Sequence, residues 1–212
     1  MALNTGTCFL CNEEVDHRSI VKHIKTCLEN KNYVSHPLSE KERIFLIKVY
    51  CGKEFWLYIE INGSCVLEDL DSYLRQVWLE CCGHMSQFRI NGQYYSCDGG
   101  MNKVIHRVLK VDTEFDYEYD FGDTTSLGGK VLSSRLGSLK NDIRLVAQNN
   151  LPADIVCATC PKKPEVICTI CEEFICEACK EDHDGCEGED FMLPVVNSPR
   201  MGVCGYCGPD DR

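Results

Sequence analysis

The chain has 212 residues, 44% hydrophobic and 26% charged, with a formal net charge of −11. These are globular proportions, enough for one core domain with small satellites, and they exclude wholesale disorder. So acidic a chain is repelled by phosphate backbones, which disfavours nonspecific nucleic-acid binding but leaves room for a local basic patch.

No run of about 18 or more apolar residues occurs, so no membrane partner is expected. The start, MALNTGTCFLCNEE, lacks the charged and apolar regions of a signal peptide, which predicts a protein kept in the reducing cytoplasm. Seventeen cysteines are not a disulfide framework in that compartment. Most of them fall instead into C-x-x-C or equivalent pairs near the two ends of the chain.

Residues 1–36 form the first module, Cys8-x2-Cys11-x11-His23-x3-Cys27. Helical character over 16–30 puts Ile20, Ile24 and Leu28 on one stripe. It also projects His23 and Cys27, four residues apart, towards the Cys8/Cys11 knuckle. This is the pattern of a C2HC-type zinc finger, in a segment too short to build a core without a staple. Arg18, Lys22 and Lys25 offer either a phosphate contact or a solvated face. A polar stretch over 29–36 closes the module before Pro37.

Residues 37–152 hold most of the aromatics and nearly all the apolar periodicity. Segments 44–50 and 55–61 read as strands about the turn Cys51-Gly52-Lys53. In the second, Phe55, Leu57, Ile59 and Ile61 alternate with Trp56, Tyr58 and Glu60. Leu67, Leu70, Leu74, Val77 and Trp78 recur at helical spacing, with Gly83 as the stop. Segment 88–95 reads as a hairpin about Asn91-Gly92. Phe115, Tyr117, Tyr119 and Phe121 alternate with Asp116, Glu118 and Asp120, as a half-buried strand with an acidic outer face does. The order predicts an α+β fold: a small β-grasp-like mixed sheet with one packed helix, flanked by N- and C-terminal zinc modules. Cys51, Cys65 and Cys97 are isolated and read as buried small apolar residues.

Residues 153–188 read Cys157-x2-Cys160-x7-Cys168-x2-Cys171-x4-Cys176-x2-Cys179-x3-His183-x2-Cys186. Ligand pairs in such a row interleave. That predicts Cys157, Cys160, Cys176 and Cys179 at one zinc, and Cys168, Cys171, His183 and Cys186 at another. Every ligand comes from the protein, which leaves no open coordination position and marks structural sites. The spacing resembles the B-box cross-brace, with cysteines at several places where B-boxes carry His or Asp.

The tail, 189–212, carries Cys204-Gly205-Tyr206-Cys207. Redox work would require the first thiol at a helix N-terminus, and nothing follows to make that helix. The pair is expected to find its partners in Cys81-Cys82-Gly83-His84, with Cys82 and His84 as ligands. The competing reading makes Cys81 or Cys82 core packing. Three zinc ions are expected, and a fourth is allowed.

The Asp-Phe-Gly at 120–122 invites a kinase reading, but there is no Gly-rich loop, no catalytic His-Arg-Asp, and too short a chain. Tyr119-Asp120-Phe121-Gly122-Asp123 after alternating aromatics, together with LRQVWLECCGHMSQFRI at 74–90 and then Asn91-Gly92-Gln93-Tyr94, resembles the plasmid pRiA-type ORF-three-like family. That family is also labelled transposon-passenger TnpR-like, and the resemblance spans residues from about 40 to 150. It implies a compact α+β domain and brings no established reaction; no serine-recombinase pattern is present. Thr124-Thr125 stands where the family commonly carries a tryptophan.

The acidic strand and turn read either as a surface for basic partners or a divalent cation, or as a solvated edge. In the second case Asp120 and Asp123 bond backbone amides about Gly122. No catalytic constellation and no phosphate-cradling loop is evident. The expected function is a zinc-binding, non-enzymatic adaptor or regulator with a protein partner and no small-molecule substrate. The alternative is a nucleic-acid-binding regulator, linked to mobile elements or transcription and acting through the finger. An enzyme working at the acidic turn ranks last.

Overall fold

The computed structural model describes residues 4–30, 42–152, 154–183, 186 and 191–209. The polar stretch before Pro37 and the boundaries at 153 and 188 lie outside the described residues.

The chain opens with a short hairpin, β1 (Thr5–Cys8) and β2 (Glu13–Asp16), and helix α1 (Ile20–Asn30). Two long strands follow, β3 (Arg43–Cys51) and β4 (Phe55–Asn62). Helix α2 (Leu67–Leu74) continues into a π-helical turn over Arg75–Leu79. The hairpin β5 (Ser86–Ile90) and β6 (Gln93–Ser96) turns on Asn91 (φ 51°) and Gly92 (φ 79°). Two successive positive φ values make the primed turn that the Asn-Gly pair favours. A single helical turn, α3 (Ile105–Val108), leads to β7 (Glu114–Tyr119), β8 (Thr125–Leu136) and β9 (Ile143–Asn149). The C-terminal module adds β10 (Val166–Cys168), β11 (Phe174–Ile175), α4 (Glu177–Lys180) and β12 (Met192–Pro194).

Among the described residues the large sheet runs β2-β1-β9-β4-β3-β8-β7-β5-β6, and a second sheet runs β11-β10-β12. Every ladder between these strands is antiparallel. The mixed sheet expected from the sequence is therefore corrected, and its β-grasp-like arrangement is not confirmed. The physical reason lies in the crossover through α2. It delivers β5 to the far side of β7, with β3, β8 and β7 between it and β4, so the crossover never sets two parallel strands side by side.

The sheet is covered on both faces, which explains why β4 is buried along nearly all its length. One core gathers Leu57, Ile59 and Ile61 with Leu67, Leu70, Leu74 and Trp78 of the α2 segment, and with Phe88, Phe115 and Tyr117. The other gathers Trp56 and Tyr58 with Ile20 and Ile24 of α1, beside Leu46, Val146 and Ala147. The alternate residues of one strand thus feed two separate cores. The N-terminal module is joined to the core sheet: Gly6, Thr7 and Cys8 of β1 pair with Asn149, Gln148 and Ala147 of β9.

Three smaller expectations meet the structure here. Cys65 is buried and Cys51 half-buried, but Cys97 is exposed, because it lies in a tight turn where Ser96 and Gly99 exchange backbone bonds. Phe121 is exposed where it was expected on the inner face. Asp120 takes φ 63°, which turns the chain out of the strand after Tyr119. No helix among the described residues is long and apolar enough to cross a membrane.

Candidate metal centres

A tetrahedral zinc holds sulfur at about 2.3 Å and imidazole nitrogen at about 2.0–2.1 Å, which sets ligand pairs about 3.8 Å (S···S) and about 3.6 Å (S···N) apart. Among the described residues, four groups come close to that requirement. In each, four ligand atoms lie within 4.8 Å of one another, and each group could hold a metal ion.

The first is Cys8, Cys11, His23 and Cys27. The knuckle folds because the amides of Cys11 and Asn12 turn back onto the Cys8 carbonyl, with Asn12 at φ 63°. Helix α1 then brings His23 Nε2 to 3.2 Å from Cys11 Sγ and 3.3 Å from Cys27 Sγ. The helix starts where Ser19 bonds the Asp16 carbonyl and His23 N–H reaches the Ser19 carbonyl. Its apolar stripe, Ile20 and Ile24, lies in the second core, and Cys27 packs against that core from the same face of the helix.

The second and third groups interleave as the spacing suggests. Cys157, Cys160, Cys176 and Cys179 converge at one point, and Cys168, Cys171, His183 and Cys186 at another. Cys160 Sγ lies 3.5 Å from Cys176 Sγ and 3.7 Å from Cys179 Sγ, and Cys171 Sγ lies 3.5 Å from His183 Nε2. Strand β10 carries Cys168 and the start of α4 follows Cys176, so the small sheet holds the two sites side by side.

One feature recurs in the three knuckles. Backbone N–H groups two and three residues on face the first thiol: Leu10 and Cys11 on Cys8, Thr159 and Cys160 on Cys157, Ile170 and Cys171 on Cys168. These bonds favour a thiolate, though at Cys8 burial outweighs them and raises the thiol. The Cys176 amide leads the bonds that hold Cys157 down at about 6, against the effect of its burial. At Cys168 burial opposes, yet the amides of Cys171 and Ile170 and the His183 ring also bring the thiol to about 6. Their neighbours move the other way. Hydrogen bonding with Cys160 pushes Cys179 up to about 12, and burial and then Cys11 push Cys27 to about 12. Crowded thiols cannot all ionise unaided; a bound dication removes that conflict and releases the protons.

The fourth group is Cys81, Cys82, His84 and Cys204. Cys82, His84 and Cys204 meet as expected, with His84 Nε2 at 3.0 Å from Cys82 Sγ and 3.2 Å from Cys204 Sγ. Cys207, expected as the fourth ligand, lies outside this group, and its thiol faces the Gly205 carbonyl at 3.3 Å. Cys204 (φ 49°) and Gly205 (φ 69°) form a left-handed bend that separates the two thiols, so the pair does not fold as a knuckle. Cys81 takes the place. Burial raises its thiol, but bonds from Arg200 and Cys82 bring it below its ordinary value.

The acidic strand is not a sheet edge, since β7 lies between β8 and β5, and Asp120 at its turn is buried. Asp120 Oδ1 accepts the Gly122 amide at 3.0 Å, while its Oδ2 accepts the buried Arg200 guanidinium at 2.5 Å. That bond to Arg200 is the main cause holding Asp120 below the usual carboxylate range. Outer-face Asp116 and Glu114 are paired with Arg89 and Lys130.

No family model matches the chain, and no curated protein matches it. The chain is similar to a solved structure described as a protein of unknown function, MM3350, from Methanosarcina mazei Go1. The identity is 15% and the TM-score 0.42, over 50% of this chain and 68% of that one.

Proposed function

We propose that the protein is a zinc-stapled, non-enzymatic adaptor of a reducing cytoplasm, built on a core of the pRiA-type ORF-three-like kind. The observation that carries this reading is the closure of the finger and cross-brace quartets. Each offers four protein ligands, and together they present three knuckles with N–H groups facing the first sulfur. Such a set leaves a zinc no position for water or substrate, so the metal serves structure.

A protein partner suits the apolar surface that the cross-brace builds. Ile170, at the tip of the Cys168–Cys171 knuckle, is 52% exposed and Phe191 is 44% exposed. The Phe191 carbonyl accepts both the amide and the hydroxyl of Thr169, so the two apolar side chains belong to one corner of the module. Pull-down with the full chain and with Ile170→Glu tests this. The substitution should abolish recovery of the partner while the zinc content and thermal midpoint stay unchanged. Equal recovery by both chains would remove the cross-brace from the role.

The nucleic-acid alternative rests on Arg18, Lys22 and Lys25 of the finger, all exposed. Arg18 is already engaged by Asp16 at 3.1 Å, which weakens that reading. It requires binding that falls steeply with salt and with Lys22→Glu or Lys25→Glu.

A further inference from the structure

We infer that a fourth zinc ion sits between Cys81, Cys82, His84 and Cys204 and fastens the C-terminal tail to the core. The inference goes beyond the three zinc ions of the finger and cross-brace, and its test separates the two.

The four residues come from two segments about 120 positions apart in sequence. The pair distances are 3.6 Å for Cys81–Cys82, 4.0 Å for Cys82–Cys204, and 3.0 and 3.2 Å from His84 Nε2 to Cys82 and Cys204. These bracket the spacing of about 3.6–3.8 Å that a tetrahedral zinc with three sulfur ligands and one nitrogen imposes, and they far exceed the roughly 2.05 Å of a disulfide. Hydrophobic packing accounts for Cys81 alone, which lies against the first core, and not for Cys82 and Cys204, which are exposed. Gathering exposed thiols around an imidazole brings no apolar burial. Cys204 also adopts φ 49° to enter the group, a conformation unfavourable for a side chain of its kind.

The surroundings are built to hold the ligands in place. Arg75 donates to the His84 carbonyl at 2.7 Å, and Glu80 accepts the Gly83 amide at 2.6 Å, which fixes the loop bearing Cys81, Cys82 and His84. Arg200, fully buried, approaches Cys81 Sγ at 3.6 Å and bonds Asp120, Thr125 and the Asp123 carbonyl. Arg75 and Arg200 both lie 4.8 Å from the Tyr119 ring. Three thiolates, one neutral imidazole and a dication leave one net negative charge; the Arg200 guanidinium donates to one of the sulfurs while pairing with Asp120, whose Oδ2 also lies 3.3 Å from His84 Nε2. Upstream, Ser198 donates to the Trp78 carbonyl at 2.6 Å and Asn197 pairs with Asn149, so the tail is already aligned along the core when it reaches the metal.

Native mass spectrometry on the full chain, prepared under reducing, zinc-replete conditions, tests the inference. The wild type should carry four zinc ions, Cys204→Ser and Cys81→Ser three, and Cys207→Ser four. Retention of three zinc ions in the first two variants shows that they remain folded. Cys204→His should restore the fourth ion. Amide exchange over residues 198–206 should quicken at least tenfold in Cys204→Ser. A wild-type count of three, unchanged by Cys204→Ser, would overturn this site and leave the other three standing. Loss of an ion in Cys207→Ser but not in Cys81→Ser would overturn the ligand assignment. A count below three would contradict the finger and cross-brace assignment instead.

Discussion

His17 shows how much the second core depends on single side chains. Its ring lies 5.0 Å from that of Trp56, and Lys48 Nζ approaches its Nε2 at 3.3 Å, an arrangement that needs a neutral imidazole. Burial first, and then the Lys48 charge, hold it below its ordinary 6.5, with Asp16 opposing. The folded chain therefore takes up this proton less readily than the unfolded one. Stability from this residue is fully present above pH 6.5 and drains as pH falls towards the lower folded value. Denaturant midpoints measured from about pH 7 to about pH 5 should fall more steeply for wild type than for His17→Gln. Equal slopes would show that His17 titrates as it does in the unfolded chain.

The convergence of the candidate ligands was legible at this scale wherever spacing carried it. C-x-x-C knuckles announce themselves because two side chains three residues apart around a tight turn have few other uses. Cys81 did not announce itself, since adjacent cysteines at a helix end look like packing. Cys207 stands apart from the group despite its C-x-x-C spacing, because the left-handed bend at Cys204 and Gly205 parts the two thiols.

At the scale of elements, a close fit joins β1 to the sheet. A Cβ on Gly6 would stand 2.1 Å from the Trp56 ring and 2.4 Å from the Gln148 carbonyl oxygen. The second contact is backbone held in the β1–β9 ladder, so it has little room to give. Gly6→Ala should destabilise the protein by about 1–3 kcal/mol, in the range of overpacking effects. Amide exchange should show the loss concentrated in β1, β2 and α1. Uniform loss across the sheet would contradict this account of the docking.

The strands with clean alternation, β4 and β7, and the Asn-Gly hairpin were readable from sequence, as was the start of the α2 segment. Strands β8 and β9 were not. Gly128-Gly129 and Ser133-Ser134 dilute the pattern of β8, and Gly129 is there because a Cβ would stand 2.0 Å from the Phe115 ring. Strand order was also hidden. The pairing of β3 with β8 and of β4 with β9 joins segments far apart in sequence, and local periodicity carries no trace of such partners.

The whole molecule is a sheet sandwiched between two cores of unequal independence. The α2 side is closed by long apolar side chains and needs no metal. The α1 side is closed by an 11-residue helix, too short to persist alone, which also carries two candidate ligands of the first cluster. The cross-brace has still less apolar interior, so its folding free energy must come mainly from its two sites.

Hydrogen exchange before and after a strong zinc chelator under reducing conditions tests this account most directly. The expected result is loss of protection in β1, β2, α1 and the β10–β12 module, while β3, β4, β7, β8 and the α2 segment stay protected. Unchanged protection at both ends of the chain after complete metal removal would contradict it.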